Sequence, residues 1–184
     1  MKRLFLMLIL VVGGATMPRV VNAAQRMYEK TPVNTIRLVT VPGSVVIRST
    51  GVGDYFSSSN ELFRTLLRYI SSNDISMTAP VVAEIDPGVM QFYVGDKDVS
   101  RALTDTMNVV VERLPERLVA AIGFRGGYSR KNYESALEKL EEWLGERPEL
   151  RIAGKPYAVY WDPPFVPSLV KRSEVHIPVK KAQE

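Results

Sequence analysis

The apolar positions of this chain follow two rhythms that alternate along it. Two stretches repeat every three to four residues. In "SSSNELFRTLLRYI" (57–70), Leu62, Phe63, Leu66, Leu67 and Ile70 line up as one stripe, and Ser58 and Glu61 have the spacing of a capping box. In "YSRKNYESALEKLEEWLG" (128–145), Ser129 can cap, Tyr133, Ala136, Leu137, Leu140 and Leu144 form the stripe, and Gly145 ends it. Both stretches are predicted to be amphipathic helices, each able to cover one face of a sheet.

The second rhythm has a period of two and surrounds the first. "VVIRSTGVGDY" (45–55) and "VAAIGFRGGY" (119–128) are β-rich runs that break at glycines and reach a tyrosine just before each helix. Tyr55 and Tyr128 lie 73 residues apart, and the same offset places Phe63 on Ala136 and Leu67 on Leu140, a weak internal repeat. Two further β-like runs follow each helix: "ISMTAPVVAEI" and "VMQFYVG" in the first half, "KPYAVYWDPP" and "SEVHIPV" in the second. "MNVVVERLPERLVAAIGF" (107–124) reads as a hairpin at the junction with Pro115 at its turn. The expected fold is α+β: duplicated βαββ halves forming one curved, barrel-like antiparallel sheet, with two helices outside and a cleft inside.

The first 24 residues stand apart from both rhythms. Lys2 and Arg3 precede the apolar run Leu4 to Val12, and the small residues of "VVNAAQ" suit cleavage near Ala23 or Ala24. This pattern is that of a secretory signal peptide, with residues 25–184 as the exported domain and a periplasmic or secreted location. An uncleaved anchor is the competing reading, although the run is well short of the ~20 residues that span a bilayer. Cleavage would take three of the 24 basic residues, Lys2, Arg3 and Arg19, and none of the 20 acidic ones, so the processed domain is close to neutral. No basic block with interleaved aromatics remains, and nucleic acid is not an expected partner. The chain has no cysteine, which excludes disulfides, thiolate metal sites, a cysteine nucleophile and covalent haem attachment.

Candidate chemistry is sparse. No G-x-S-x-G turn is present, and the one histidine, His176, cannot make a zinc site alone. Alternation through "RSEVHIPV" places Glu174, His176 and Pro178 on one face and Val175, Ile177 and Val179 on the other. If the aliphatic residues meet the helices, Glu174 and His176 face either solvent on a terminal strand or the cleft, where they could orient a mostly apolar ligand. Tyr157, Tyr160, Trp161 and Phe165 crowd into "PYAVYWDPPFVP", and Met77, Met90, Phe92 and Tyr93 lie on the corresponding strands of the first half. Only one of each neighbouring pair can face the helices, so aromatic surface must also lie on the inner face, which suits a flat apolar ligand.

Several separated motifs carry a family resemblance. "DISMTAPVV" (74–82), preceded by "LFRTLLRYI", resembles the I-x-M-T-x-P-V signature of the SOUL haem-binding protein family. "MQFYV", "VVVERLPERLVAAIGFRG" and "AVYWDPPFVPSLVKRSEVHIPV" follow in that family's order, so the resemblance spans roughly residues 27–179. It implies a monomeric, non-enzymatic protein that holds haem, a porphyrin or another planar hydrophobic molecule non-covalently in an apolar groove. Met77, Thr78 and Pro80 would then shape the rim of the cleft. Met77, Tyr160, Trp161 and His176 would form its pocket, with Glu174 for polar orientation and His176 as a possible axial ligand of the iron. The sequence departs from the family pattern at "VIRST", "ALTDTMNV" and "RSEV", and it lacks the early histidine that ligates haem in some members. "GKPYAVYWDP" and "SEVHIPV" are also similar to gyrase-inhibitor-like ligand-binding domains, which implies an alternative: a binder of lipophilic cations, or a small-molecule hydrolase, centred on Glu174.

Overall fold

A computed structural model describes residues 25–182. The first half of the chain contributes β1 (Gln25–Arg26), β2 (Ile36–Val41), β3 (Ser44–Thr50), α1 (Tyr55–Ser72), β4 (Thr78–Ala79), β5 (Val81–Glu84) and β6 (Val89–Tyr93). The second contributes β7 (Val110–Leu114), β8 (Arg117–Arg125), α2 (Arg130–Gly145), β9 (Leu150–Ile152), β10 (Tyr157–Tyr160) and β11 (Arg172–Lys181). The main sheet runs β2-β8-β11-β10-β5-β6-β3-β7, antiparallel throughout, with β9 paired to the far end of β11. It is an α+β fold with a sheet curled into a half-barrel, as the two rhythms predict.

The halves meet at the β10–β5 pair and exchange their leading strands. β2 pairs with β8 of the second half, and β7 pairs with β3 of the first. The hairpin expected around Pro115 therefore does not form: β7 and β8 carry suitable patterns but part, β7 to one edge of the sheet and β8 to the place between β2 and β11 near the other. The links 42–43 and 115–116 instead pack together, so closely that a Cβ added at Gly43 would lie 3.3 Å from the Glu116 amide nitrogen.

Both helices lie on the convex face. α1 begins earlier than its serines suggest, because Asp54 is the cap and its Oδ1 accepts from the amides of Phe56 (2.7 Å) and Ser57 (3.2 Å). The buried stripe of α1 runs through Leu62, Leu66 and Ile70, while Leu67 points outward. α2 follows its expected cap, Ser129, and buries Tyr133, Ala136, Leu140 and Leu144. These residues pack on Val45, Ile47, Phe92, Ala120, Val175, Ile177 and Val179 to form the main core.

"ISMTAPVVAEI" is not one strand. Pro80 has no amide hydrogen to give a ladder, and it separates the two-residue β4 from β5 across a cis Ala79–Pro80 peptide.

Candidate functional site

The concave face has a different composition from the core under the helices. Alternation turns Val41, Val46, Val82, Tyr93, Val119, Ala121, Tyr157, Val159 and Trp161 into it, and these residues form a second, separate apolar cluster. The same alternation brings Glu174 and His176 onto this face while Val175, Ile177 and Val179 go to the helices. Glu174 and His176 are 1% and 0% exposed, which rules out a solvated pair on a terminal strand.

The segment 25–34 buries them. It enters as β1, parallel to β4, and the Met27 amide donates to the Ala79 carbonyl at 3.0 Å. From there it crosses the concave face as a strap. The Thr31 amide donates to Glu174 Oε1 at 2.8 Å, and the Asn34 amide to the Gly123 carbonyl at 2.8 Å. Gly123 lies opposite Glu174 in the β8–β11 register. A Cβ there would stand 2.5 Å from the Pro32 carbonyl oxygen, so only glycine lets the strap lie this close to the sheet. Tyr28 fills the space beneath, edge-on to Trp161 at 5.2 Å and to Tyr93 at 6.2 Å between ring centroids.

Polar groups under the strap form a directional chain. Glu174 Oε1 accepts from Trp161 Nε1 (2.6 Å) as well as from Thr31, and Oε2 lies 2.8 Å from His176 Nε2. A carboxylate can only accept, so the network assigns the imidazole proton to Nε2. Nδ1 lies 3.3 Å from the Tyr157 hydroxyl and in the neutral imidazole accepts from it, while Arg117 Nε donates to that hydroxyl at 3.4 Å. Burial, the largest influence, raises the Glu174 carboxyl, but the hydrogen bond from His176, the attraction of its charge and the hydrogen bond from Thr31 together outweigh it and hold the group below its ordinary value. Tyr157 is pushed the other way, to about 12, chiefly by burial, so it remains a neutral donor.

The sequence-predicted site residues divide between the two faces. Trp161, Glu174 and His176 come together under the strap. Tyr160 does not join them: as the neighbour of Trp161 on β10 it points to the helices, stacked on Tyr55 and tilted against Tyr128. Met77 also packs on the convex-side core. Thr78 is buried where the strap enters, and its hydroxyl donates to the Tyr93 carbonyl at 2.6 Å. Pro80 is buried next to β5. Sequence reasoning missed Tyr28, Thr31 and Arg117, and named Tyr93 among the candidate aromatics without assigning it to this face. Tyr93 and Arg117 follow from alternation once the pairing is known, but the strap has neither rhythm.

Among the described residues no group of three or more His, Asp or Glu side chains could hold a metal ion by itself. A haem needs at most one protein ligand on a face and otherwise an apolar wall. The wall exists in the five valines, Leu114 and the aromatic rings, and the ligand candidate in His176, whose ring is already oriented by Glu174. The residues therefore fit such a group, provided the strap gives way.

Comparisons with known proteins agree on the architecture. The C-terminal domain of EcmrR superposes with a TM-score of 0.65 at 16% identity, covering 80% of this chain and 98% of that domain. A hydrolase from Listeria innocua superposes at 0.53 with 15% identity, covering 82% and 94%. At such identities the likeness is one of fold alone. No curated protein matches. The family model described as "SOUL heme-binding protein" matches residues 25–178, from the first residue of the strap into the strand that carries Glu174 and His176. The chain belongs to the SOUL haem-binding protein family.

Proposed function

We propose that this protein is an exported, non-enzymatic binding protein that takes haem, or a similarly planar hydrophobic molecule, onto its concave face by exchange with its own strap. One observation carries the reading: the strap covers an aromatic and aliphatic surface through a few separate hydrogen bonds, and at its centre lies an imidazole whose second nitrogen has only a long 3.3 Å contact. A ligand that displaces Tyr28 meets Trp161, Tyr93 and the valines. His176 can then exchange its contact with Tyr157 for the ligand while Nε2 stays fixed by Glu174. Bound haem would supply a redox-active, strongly absorbing iron; the protein's part is to bind it, orient the ring and exclude water.

The location and export follow from the signal-peptide pattern of residues 1–24, which lie outside the described residues. Hydrolysis through Glu174 is the weaker reading. Its carboxylate is held below its ordinary value, is shielded from water and already accepts three donors, the opposite of a poised general base.

A haem titration followed by Soret absorbance and thermal unfolding tests the proposal. Saturable one-to-one binding with a rise in melting temperature is expected. His176→Ala should alter the Soret band if the imidazole ligates the iron. Non-saturating binding without stabilisation would remove haem as the ligand.

A further inference from the structure

The link from β10 to β11, "DPPFVPSLV" (162–170), holds apolar side chains out in solvent. Phe165 is 85% exposed, Leu169 87% and Val170 51%. The loop is nevertheless well formed. The Val166 amide donates to the Pro163 carbonyl, the amides of Val170 and Lys171 to the Pro167 carbonyl, and Lys171 Nζ to the Pro164 carbonyl at 2.8 Å. Three prolines stiffen it further. An ordered loop that leaves Phe165 and Leu169 in water gains nothing from them in folding, and apolar surface rimmed by polar groups marks an interaction site.

The surroundings identify the partner. Arg125 and Arg172 stand directly opposite each other on β8 and β11, a like-charged cross-strand pair that costs stability, and neither guanidinium makes an ion pair among the described residues. Arg172 also lines an open hollow with Arg26, Tyr28, Glu29 and Lys30. Lys30 is tied to Asp162, the first residue of the loop, at 3.6 Å. The cations therefore collect on one rim of the concave face, beside the apolar tongue. Apolar side chains projecting beyond a ring of cations are the arrangement that seats a protein on an anionic bilayer, the side chains entering the acyl boundary and the cations meeting the headgroups.

We propose that Phe165, Leu169 and Val170, with Arg26, Arg125 and Arg172 behind them, dock this protein on an anionic membrane surface with the mouth of the concave face turned to the lipid. The docking does not depend on which ligand the cleft takes.

Because the chain has no cysteine, a single labelling site can be introduced into the full chain without background. Leu169→Cys and, as control, Ile152→Cys, each carrying an environment-sensitive fluorophore, are mixed with phosphatidylglycerol or phosphatidylcholine vesicles. Ile152 is 60% exposed and pairs with Val179, seven residues along β11 from Arg172. The expected result is a blue shift and quenching by lipid-borne quenchers at position 169 only, on phosphatidylglycerol. Arg125→Glu with Arg172→Glu should weaken it about 25-fold or more, since each cation near an anionic surface contributes about fivefold. Three results would overturn the proposal. Vesicle binding with both labels still in water would assign attachment to residues 1–24 alone. Equal shifts on both lipids would remove the role of the cations. A shift at position 169 produced by haem alone, with none from vesicles, would make the tongue a ligand flap.

Discussion

The two faces of β11 carry opposite kinds of interior. Toward the helices, Val175, Ile177 and Val179 interdigitate with apolar residues of both helices and of the neighbouring strands. Toward the concave side, Glu174 and His176 are equally buried, but directional hydrogen bonds hold their polar atoms and their cover is a single strap. The helix side can lose packing only by unfolding. In the proposed exchange the strap side opens while the helix side stays closed, because the residues beneath the strap form a separate cluster. One face thus supplies stability and the other a surface that can be exchanged.

Truncation of the helix-side core should have the largest effect. Leu66 and Leu140 are both 0% exposed, one on each helix. Leu66→Ala or Leu140→Ala should each cost about 2–5 kcal/mol in urea unfolding. Any ligand affinity should be unchanged in the folded fraction. A selective loss of affinity would break the separation between the faces.

Removing the carboxylate beneath the strap comes next. Glu174→Ala leaves the Trp161 and Thr31 donors without an acceptor and should cost about 3 kcal/mol. The same group gives the contrast a pH signature. Its carboxyl lies below the ordinary value in the folded protein, so the native state binds fewer protons than the unfolded one. Its contribution is complete above that ordinary value and is lost as pH falls through the lower folded value. Glu174→Gln should therefore flatten the acid limb of the stability profile. An unchanged acid limb would mean that other carboxylates govern it.

Much of the helix side was legible in the sequence, because it depends on local rhythm. The stripes of α1 and α2, the Ser129 cap and the alternation through β11 all follow from periods of 3.6 and 2. The pairing of β2 with β8 and β7 with β3 did not follow, since two adjacent β-patterned runs joined by Pro115 look the same whether they fold onto each other or part to opposite sides of the sheet. Tyr160 and Trp161 show the limit at the site. Alternation says that one of the pair faces inward, but only the register against Ser173 and Val81 decides which. The strap was invisible for another reason: its residues are placed by single hydrogen bonds to distant strands, and such contacts leave no period.

Tyr28→Ala sharpens the comparison because stability and binding should move in opposite directions. Losing its edge-on contacts with Trp161 and Tyr93 should cost about 1–2 kcal/mol. If the concave face binds its ligand only when the strap is released, affinity should rise as the released fraction rises, up to about tenfold for each 1.4 kcal/mol of strap stability removed. Titration of wild type and variant side by side decides this. Weaker binding in the variant would make Tyr28 part of the ligand's wall and not its competitor.

The smallest expected effect is the most informative about the tongue. Phe165→Ser and Leu169→Ser replace large apolar side chains that are almost wholly in water, so the folded and unfolded states lose nearly the same contacts. Each should change stability by less than about 0.5 kcal/mol, against several for a residue of similar size such as Leu66. Haem binding should also be unaltered, because neither side chain belongs to the cluster under the strap. A cost of 2 kcal/mol or more by chemical denaturation would show that these residues pack against something within the domain, and the tongue would then belong to the core.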